Sequence, residues 1–160
     1  MEALPQELLA EILDREPVAR LALLGDDGAP EVTPIVFARV AQSLYSPIDG
    51  KPKSGTRLAR LRHIAREPRV GLVIDRYAHD WRRLWWLRLA ALAREVNAEH
   101  PDFEAASAAL RGKYPQYRST PLFSGEPTMI RFDILSSRWW SASGLDALRD
   151  DRPPAAPIHD

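Results

Sequence analysis

Cysteine is absent from the 160 residues, which excludes disulfide staples, thiolate metal sites and a cysteine nucleophile. Histidine is scarce: four scattered residues offer no ligand spacing, so no structural zinc is expected. Net charge is also missing, with 22 Lys and Arg against 22 Asp and Glu, and this argues against a general nucleic-acid partner. No apolar run is long enough to span a bilayer. The N-terminal segment Leu4 to Leu13 is interrupted by Glu7 and Glu11, so it reads as an amphipathic helix and lacks the run of a signal peptide. No membrane role is expected, and the cytoplasm is the expected compartment. A Gly-x-Ser-x-Gly elbow, a paired-carboxylate spacing and a Walker loop are all missing, which argues against hydrolase and kinase chemistry.

What is present suits one compact unit. At 45% apolar content the chain supports a single domain over 1–149 with a true core. The stretch from Asp150 to Asp160, DDRPPAAPIHD, is a Pro-rich polar tail expected to be disordered.

Charge is concentrated in one place. From Lys51 to Arg69 the sequence KPKSGTRLARLRHIAREPR holds seven Lys or Arg and one acid, Glu67. It follows an apparent strand, passes through a Pro/Gly loop and enters a helix that Thr56 can cap. The first turn of such a helix presents unpaired N–H groups and a positive dipole end, to which Lys51, Lys53 and Arg57 add full charges. An anionic ligand carrying phosphate or carboxylate fits there. Arg60 and Arg66 read as a solvated helix face, and His63 as a surface residue.

Around this stretch the pattern is mainly β. Val18 to Leu24 and Pro30 to Val40 flank Gly25-Asp26-Asp27-Gly28, a hairpin signal. Thr33, Ile35, Phe37 and Arg39 share one face of the second strand, with Val32, Pro34, Val36 and Ala38 on the other. Pro34 donates no ladder hydrogen bond and marks an edge, a bulge or an opening of the sheet. Ser43 to Ile48 reads as a third strand and Arg57 to Glu67 as a helix, whose Leu58, Leu61, Ile64 and Ala65 form the packing face. Val70 to Arg76 follows as a buried strand, where Asp75 needs a partner such as Arg88 or Arg76.

Trp81 to Val96 fits two patterns: its Leu, Ala, Arg and Glu content leans toward helix, while its alternation fits a strand. Asp102 to Lys113 reads as a helix, and Thr128 to Ile134 as a strand continuing toward Ser143 as a final strand pair. Of the five tryptophans, at least three are expected to be core or interface packing, with Trp86 placed near a cofactor ring.

The phrases RLALLGDDGAPEVTPIVFARV, LYSPIDGKPKSGTRLARLRHIAREPRVGLVID and DWRRLWWLRLAALAREV, taken in order, resemble the pyridoxamine 5′-phosphate oxidase-like split-barrel family, from about Leu8 to Gly144. They look closest to its branch of probable deazaflavin (coenzyme F420)-dependent oxidoreductases. The resemblance implies an α+β, mainly β fold with short helices: a six-stranded antiparallel split barrel of the FMN-binding type. It also implies a homodimer with the cofactor groove between subunits, and it makes Leu84 to Val96 a strand. The implied cofactor contacts are Val32, Thr33 and Pro34, the Tyr45 to Ile48 strand end, Lys51, Lys53, Thr56 and Arg57, together with Trp86 and Arg88. The implied activity is hydride transfer between F420 and a small molecule. The alternatives are an FMN-dependent pyridoxamine phosphate oxidase-like enzyme and a non-catalytic flavin, deazaflavin or haem carrier or sensor. The pattern KPKSGTRLARLR departs from the phosphate-holding pattern of the flavin-using oxidases.

Overall fold

The segment Trp85–Asn97 buries Trp85, Leu87, Leu89, Ala91 and Ala93 and turns Arg88, Ala90, Leu92 and Arg94 outward. That two-residue period is a strand's, and it overrides the local helical propensity because the segment lies between two long partners. In the computed structural model, which describes residues 4–48, 56–123 and 125–150, the elements run α1 (Gln6–Arg15), β1 (Ala19–Leu24), β2 (Pro30–Ile35), β3 (Ala38–Val40) and β4 (Ser43–Pro47). They continue α2 (Thr56–Arg66), β5 (Arg69–Arg76), β6 (Trp85–Asn97), α3 (Phe103–Lys113), β7 (Thr128–Ser141) and α4 (Leu145–Arg149). The strands form one antiparallel sheet in the order β2-β1-β5-β6-β7-β4-β3. The mainly β architecture with short helices is as expected; the strand count is seven instead of six.

The seventh strand comes from a break. Pro30 to Val40 does not run as one strand: β2 pairs with β1 at one edge of the sheet, and β3 pairs with β4 at the other. At the break Tyr114 supplies the missing partners. Its hydroxyl accepts from the Phe37 amide at 2.9 Å and lies 2.8 Å from the carbonyls of both Phe37 and Pro17. Buried backbone groups that leave a ladder need such substitutes. Pro34 sits on the edge strand, where its missing N–H costs nothing.

Three other expectations are corrected. The final strand pair is a single 14-residue strand, β7, whose register against β6 shifts between Ala90 and Ala91, leaving Leu135 outside the pairing and 60% exposed. Asp75 pairs with Arg20 across the sheet, not with Arg88 or Arg76. Helix α2 packs through Ile64, 2% exposed, with Leu61 partly buried against the same core as expected, while Ala65 is exposed, His63, 4% exposed, is buried, and the side chain of Leu58 lies outside the described residues. Helix α4 was not anticipated; its Ala147 and Leu148 join the main core.

The main core lies under the β1-β5-β6 face and receives α1 (Leu8, Ile12, Leu13) and α2 (Ile64). A second cluster collects Tyr45, Phe103, Leu110, Tyr114 and Met129 around α3. Among the described residues no helix is long and apolar enough to cross a membrane. The Pro-rich segment 151–160 lies outside the described residues.

Candidate functional site

The β1–β2 hairpin returns beside α2, and a cavity of about 570 Å³ opens between them. Strand β2 contributes Glu31, Val32 and Thr33, helix α2 contributes Ala59, Arg60 and His63, and Leu23 completes the lining. Spacings of three and four residues put Ala59, Arg60 and His63 on one flank of the helix. Ile64, next in sequence and buried in the main core, fixes the rotation that aims this flank at β2. Gly28, at φ 77°, makes the tight return, closed by Gly25 N–H donating to the Ala29 carbonyl at 2.9 Å.

The charges here divide into paired and free. Asp26 in the turn accepts from Arg62 at 2.5 Å and from Arg66 at 2.9 Å, and Arg66 also donates to the Gly25 carbonyl. The Arg62 hydrogen bond, followed by the nearby His63, holds the Asp26 carboxyl well below the ordinary carboxylate range. Arg66 is thus a clamp on the turn and not an idle solvated side chain. Arg60, half-buried in the cavity wall, has no ion pair or hydrogen bond among the described residues. His63 stands between two carboxylates: Nε2 is 3.2 Å from Asp26 Oδ1, and Nδ1 is 3.7 Å from Glu31 Oε2. Neither ring nitrogen has the alignment of a hydrogen bond, although both are buried.

A second cavity of about 430 Å³, bordered by Ser43, Asp102, Arg131 and Asp133, has its charge already spent internally. Ser43 and Arg131 donate to Asp133 at 2.9 and 2.8 Å, and Tyr45 donates to Asp102 at 2.8 Å. The free guanidinium of Arg60 makes the first cavity the better receptor for an anion.

Of the residues singled out from sequence, the structure brings Val32 and Thr33 to the first cavity. Pro34 follows them on β2 but does not line it. Thr56 and Arg57 open α2, with side chains outside the described residues, and Lys51 and Lys53 lie wholly outside them. Trp86 and Arg88 occupy the opposite, outer face of the sheet, the Arg88 guanidinium 5.9 Å from the Trp86 ring centre. Arg88 shares a cross-strand row with Val73, Arg20 and Pro34. Strand β4 is buried throughout, and Tyr45 serves the second core. Trp85 is fully buried, Trp86 and Trp139 are half-buried, and Trp81 and Trp140 are exposed. The sequence reading missed Glu31, Ala59, Arg60 and His63. Their only common signal is a helix flank that meets the strand after the Asp-Gly turn.

Comparison with known proteins locates this arrangement. A conserved hypothetical protein from Mycobacterium tuberculosis matches at 16% identity over 99% of this chain and 94% of its own, with a TM-score of 0.68. A heme binding protein from Mycobacterium smegmatis matches at 18% identity over 90% of this chain and 57% of its own, with a TM-score of 0.67. A FAD-binding protein from Mesorhizobium loti matches at 16% identity over 86% of this chain and 93% of its own, with a TM-score of 0.60. At these identities the likeness is one of fold. No curated protein matches the sequence. The pyridoxamine 5′-phosphate oxidase (PNPOx_N) pattern, however, matches residues 5–135, most of the chain and all of the cavity described above. This chain therefore belongs to the pyridoxamine 5′-phosphate oxidase family.

Proposed function

We propose that this protein is a cytoplasmic oxidoreductase that uses coenzyme F420, a deazaflavin, to pass a hydride to or from a small molecule. The observation that carries the reading is Arg60: a guanidinium without a partner among the described residues, facing the cavity between β2 and α2. The basic segment with Lys51, Lys53 and Arg57 leads into α2. The cofactor has an anionic phosphodiester and glutamate tail and a flat apolar ring. Arg60 suits the tail, and Leu23 and Ala59 offer apolar wall. When bound, the cofactor supplies two-electron chemistry; the chain supplies binding, orientation and exclusion of water.

The same reading places a second copy of the chain on the outer face of the sheet. There Val32 (67% exposed), Leu24 (41%) and Leu92 (39%) flank the small residues Ala22, Gly71 and Ala90. A patch of this kind is the usual mark of an interface. Trp86 and Arg88 would then face the partner, and the groove between subunits would reach the cofactor.

Similarity to proteins named for binding haem and FAD favours a second reading, an FMN-using enzyme or a carrier of flavin or haem. Titration of purified protein with deazaflavin, FMN and haem separates these. The primary reading predicts saturable deazaflavin binding and reoxidation of the bound reduced cofactor by at least one acceptor of a broad panel. Tight FMN or haem binding without deazaflavin binding overturns it.

A further inference from the structure

Among the described residues Glu31 is the one carboxylate lining the cavity between β2 and α2, and no Lys or Arg among them pairs with it. Its single ion-pair contact there is His63, whose Nδ1 lies 3.7 Å from Oε2 without the alignment of a hydrogen bond. The turn seats the carboxylate: a Cβ at Gly25 would stand 2.6 Å from Glu31 Oε1, so the glycine leaves the room this oxygen occupies. Thr33, two residues on and on the same face of β2, adds a hydroxyl to the lining. Arg60, the free guanidinium, lines the cavity from α2. The wall thus offers one cation, one neutral donor and one anion. It attracts a single negative charge and resists a second.

We propose that Glu31 is a specificity-determining residue, by which this cavity selects a singly charged phosphodiester over a doubly charged phosphomonoester. The proposal rests on the cofactor reading above and deepens it, since deazaflavin carries the first group and FMN the second. In a diester the two unesterified oxygens share one charge, and Arg60 and the Thr33 hydroxyl suffice for them. A monoester is close to dianionic at neutral pH and presents a third such oxygen. The added charge is attracted by Arg60 and repelled by Glu31 to a similar degree, so its desolvation goes uncompensated. Esterification is read as charge, without contact to the esterifying group.

The test uses two ligands with one ring: the 5′-phosphomonoester of the deazaflavin's ribityl core and its methyl phosphodiester. Both are titrated at about pH 7.5, beside complete deazaflavin, against wild type, Glu31→Gln and Glu104→Gln, an equal charge change at an exposed position of α3. Wild type binds the diester more tightly. Glu31→Gln removes a repulsion felt twice by the dianion and once by the monoanion. The diester-to-monoester affinity ratio therefore falls about tenfold, the scale of one unit charge at cavity distance, while Glu104→Gln leaves it at the wild-type value. Should Glu31→Gln fail to fold, Glu31→Thr, a residue suited to a strand, gives the same shift. The proposal is overturned by tighter wild-type binding of the monoester, by a ratio that the Glu31 variants leave unchanged, or by one that Glu104→Gln moves equally. Binding of complete deazaflavin alone, with neither short ligand bound, also overturns it. Each of these results leaves the cofactor reading standing; absence of binding by all three ligands overturns both.

Discussion

Tyr114 holds the backbone of Phe37 across 77 residues of chain, its hydroxyl accepting the Phe37 amide at 2.9 Å. This contact joins α3's end to the point where the chain leaves one edge of the sheet and crosses to the other. Burial around the ring also pushes the phenol up to about 12, so the hydroxyl remains a neutral donor and acceptor at physiological pH. Tyr114→Phe leaves a buried N–H and a buried carbonyl without partners. A loss of about 1–3 kcal/mol in denaturant unfolding is expected, with cofactor affinity little changed.

The turn clamp gives a pH signature. Asp26 has its pKa lowered by Arg62 and then by His63, so its contribution is present above the ordinary carboxylate range and is lost as pH falls through the depressed folded value. The Tm gap between wild type and Asp26→Asn is therefore constant near neutrality and closes below about pH 4. A gap that persists unchanged into that acid range would show that the charge of Asp26 does not hold the turn.

Lys113 gives a slope of the same sign in an alkaline window. Its ammonium donates to the Leu13 carbonyl at 2.7 Å and lies 3.8 Å from the Phe37 ring centre. Burial still pulls it from 10.5 down to about 8, against the attraction of Asp14 and Glu16. Between those values the unfolded chain binds more protons than the folded one, so stability rises with pH through this window. Wild type gains on Lys113→Met as pH is raised from about 8 toward about 10; thermal melts of the two proteins measure the difference.

Much of this was legible in the sequence where one physical signal dominated. The Asp-Gly return, the strand before Arg76 and the helix at Arg57 followed from turn chemistry and periodicity. The segment Leu84 to Val96 followed only from the resemblance, because its residues satisfy helical propensity while its neighbours in the sheet decide the outcome. The break at Phe37 was hidden because its cause, Tyr114, is a long-range hydrogen bond with no local trace. His63 was misplaced for a related reason: on an isolated helix it belongs to the polar side, and only the folded-back turn with Asp26 buries it. Val32 and Thr33 reach the cavity, but Trp86 and Arg88 share an alternation that sends them to the other face.

Arg60 and the loop cations act on the ligand and not on the core. Arg60→Ala weakens anionic cofactor binding about tenfold or more, and neutralising Lys51, Lys53 and Arg57 together weakens it further. Melting temperature changes little in both variants, since Arg60 has no partner to lose among the described residues. Equal losses of stability and affinity would make these residues structural.

A crystal structure of the protein with bound deazaflavin tests the central claim most directly. The expected result is the anionic tail in the cavity between β2 and α2, within hydrogen-bond reach of Arg60. Density for the cofactor at another surface, with that cavity holding only solvent, would contradict it.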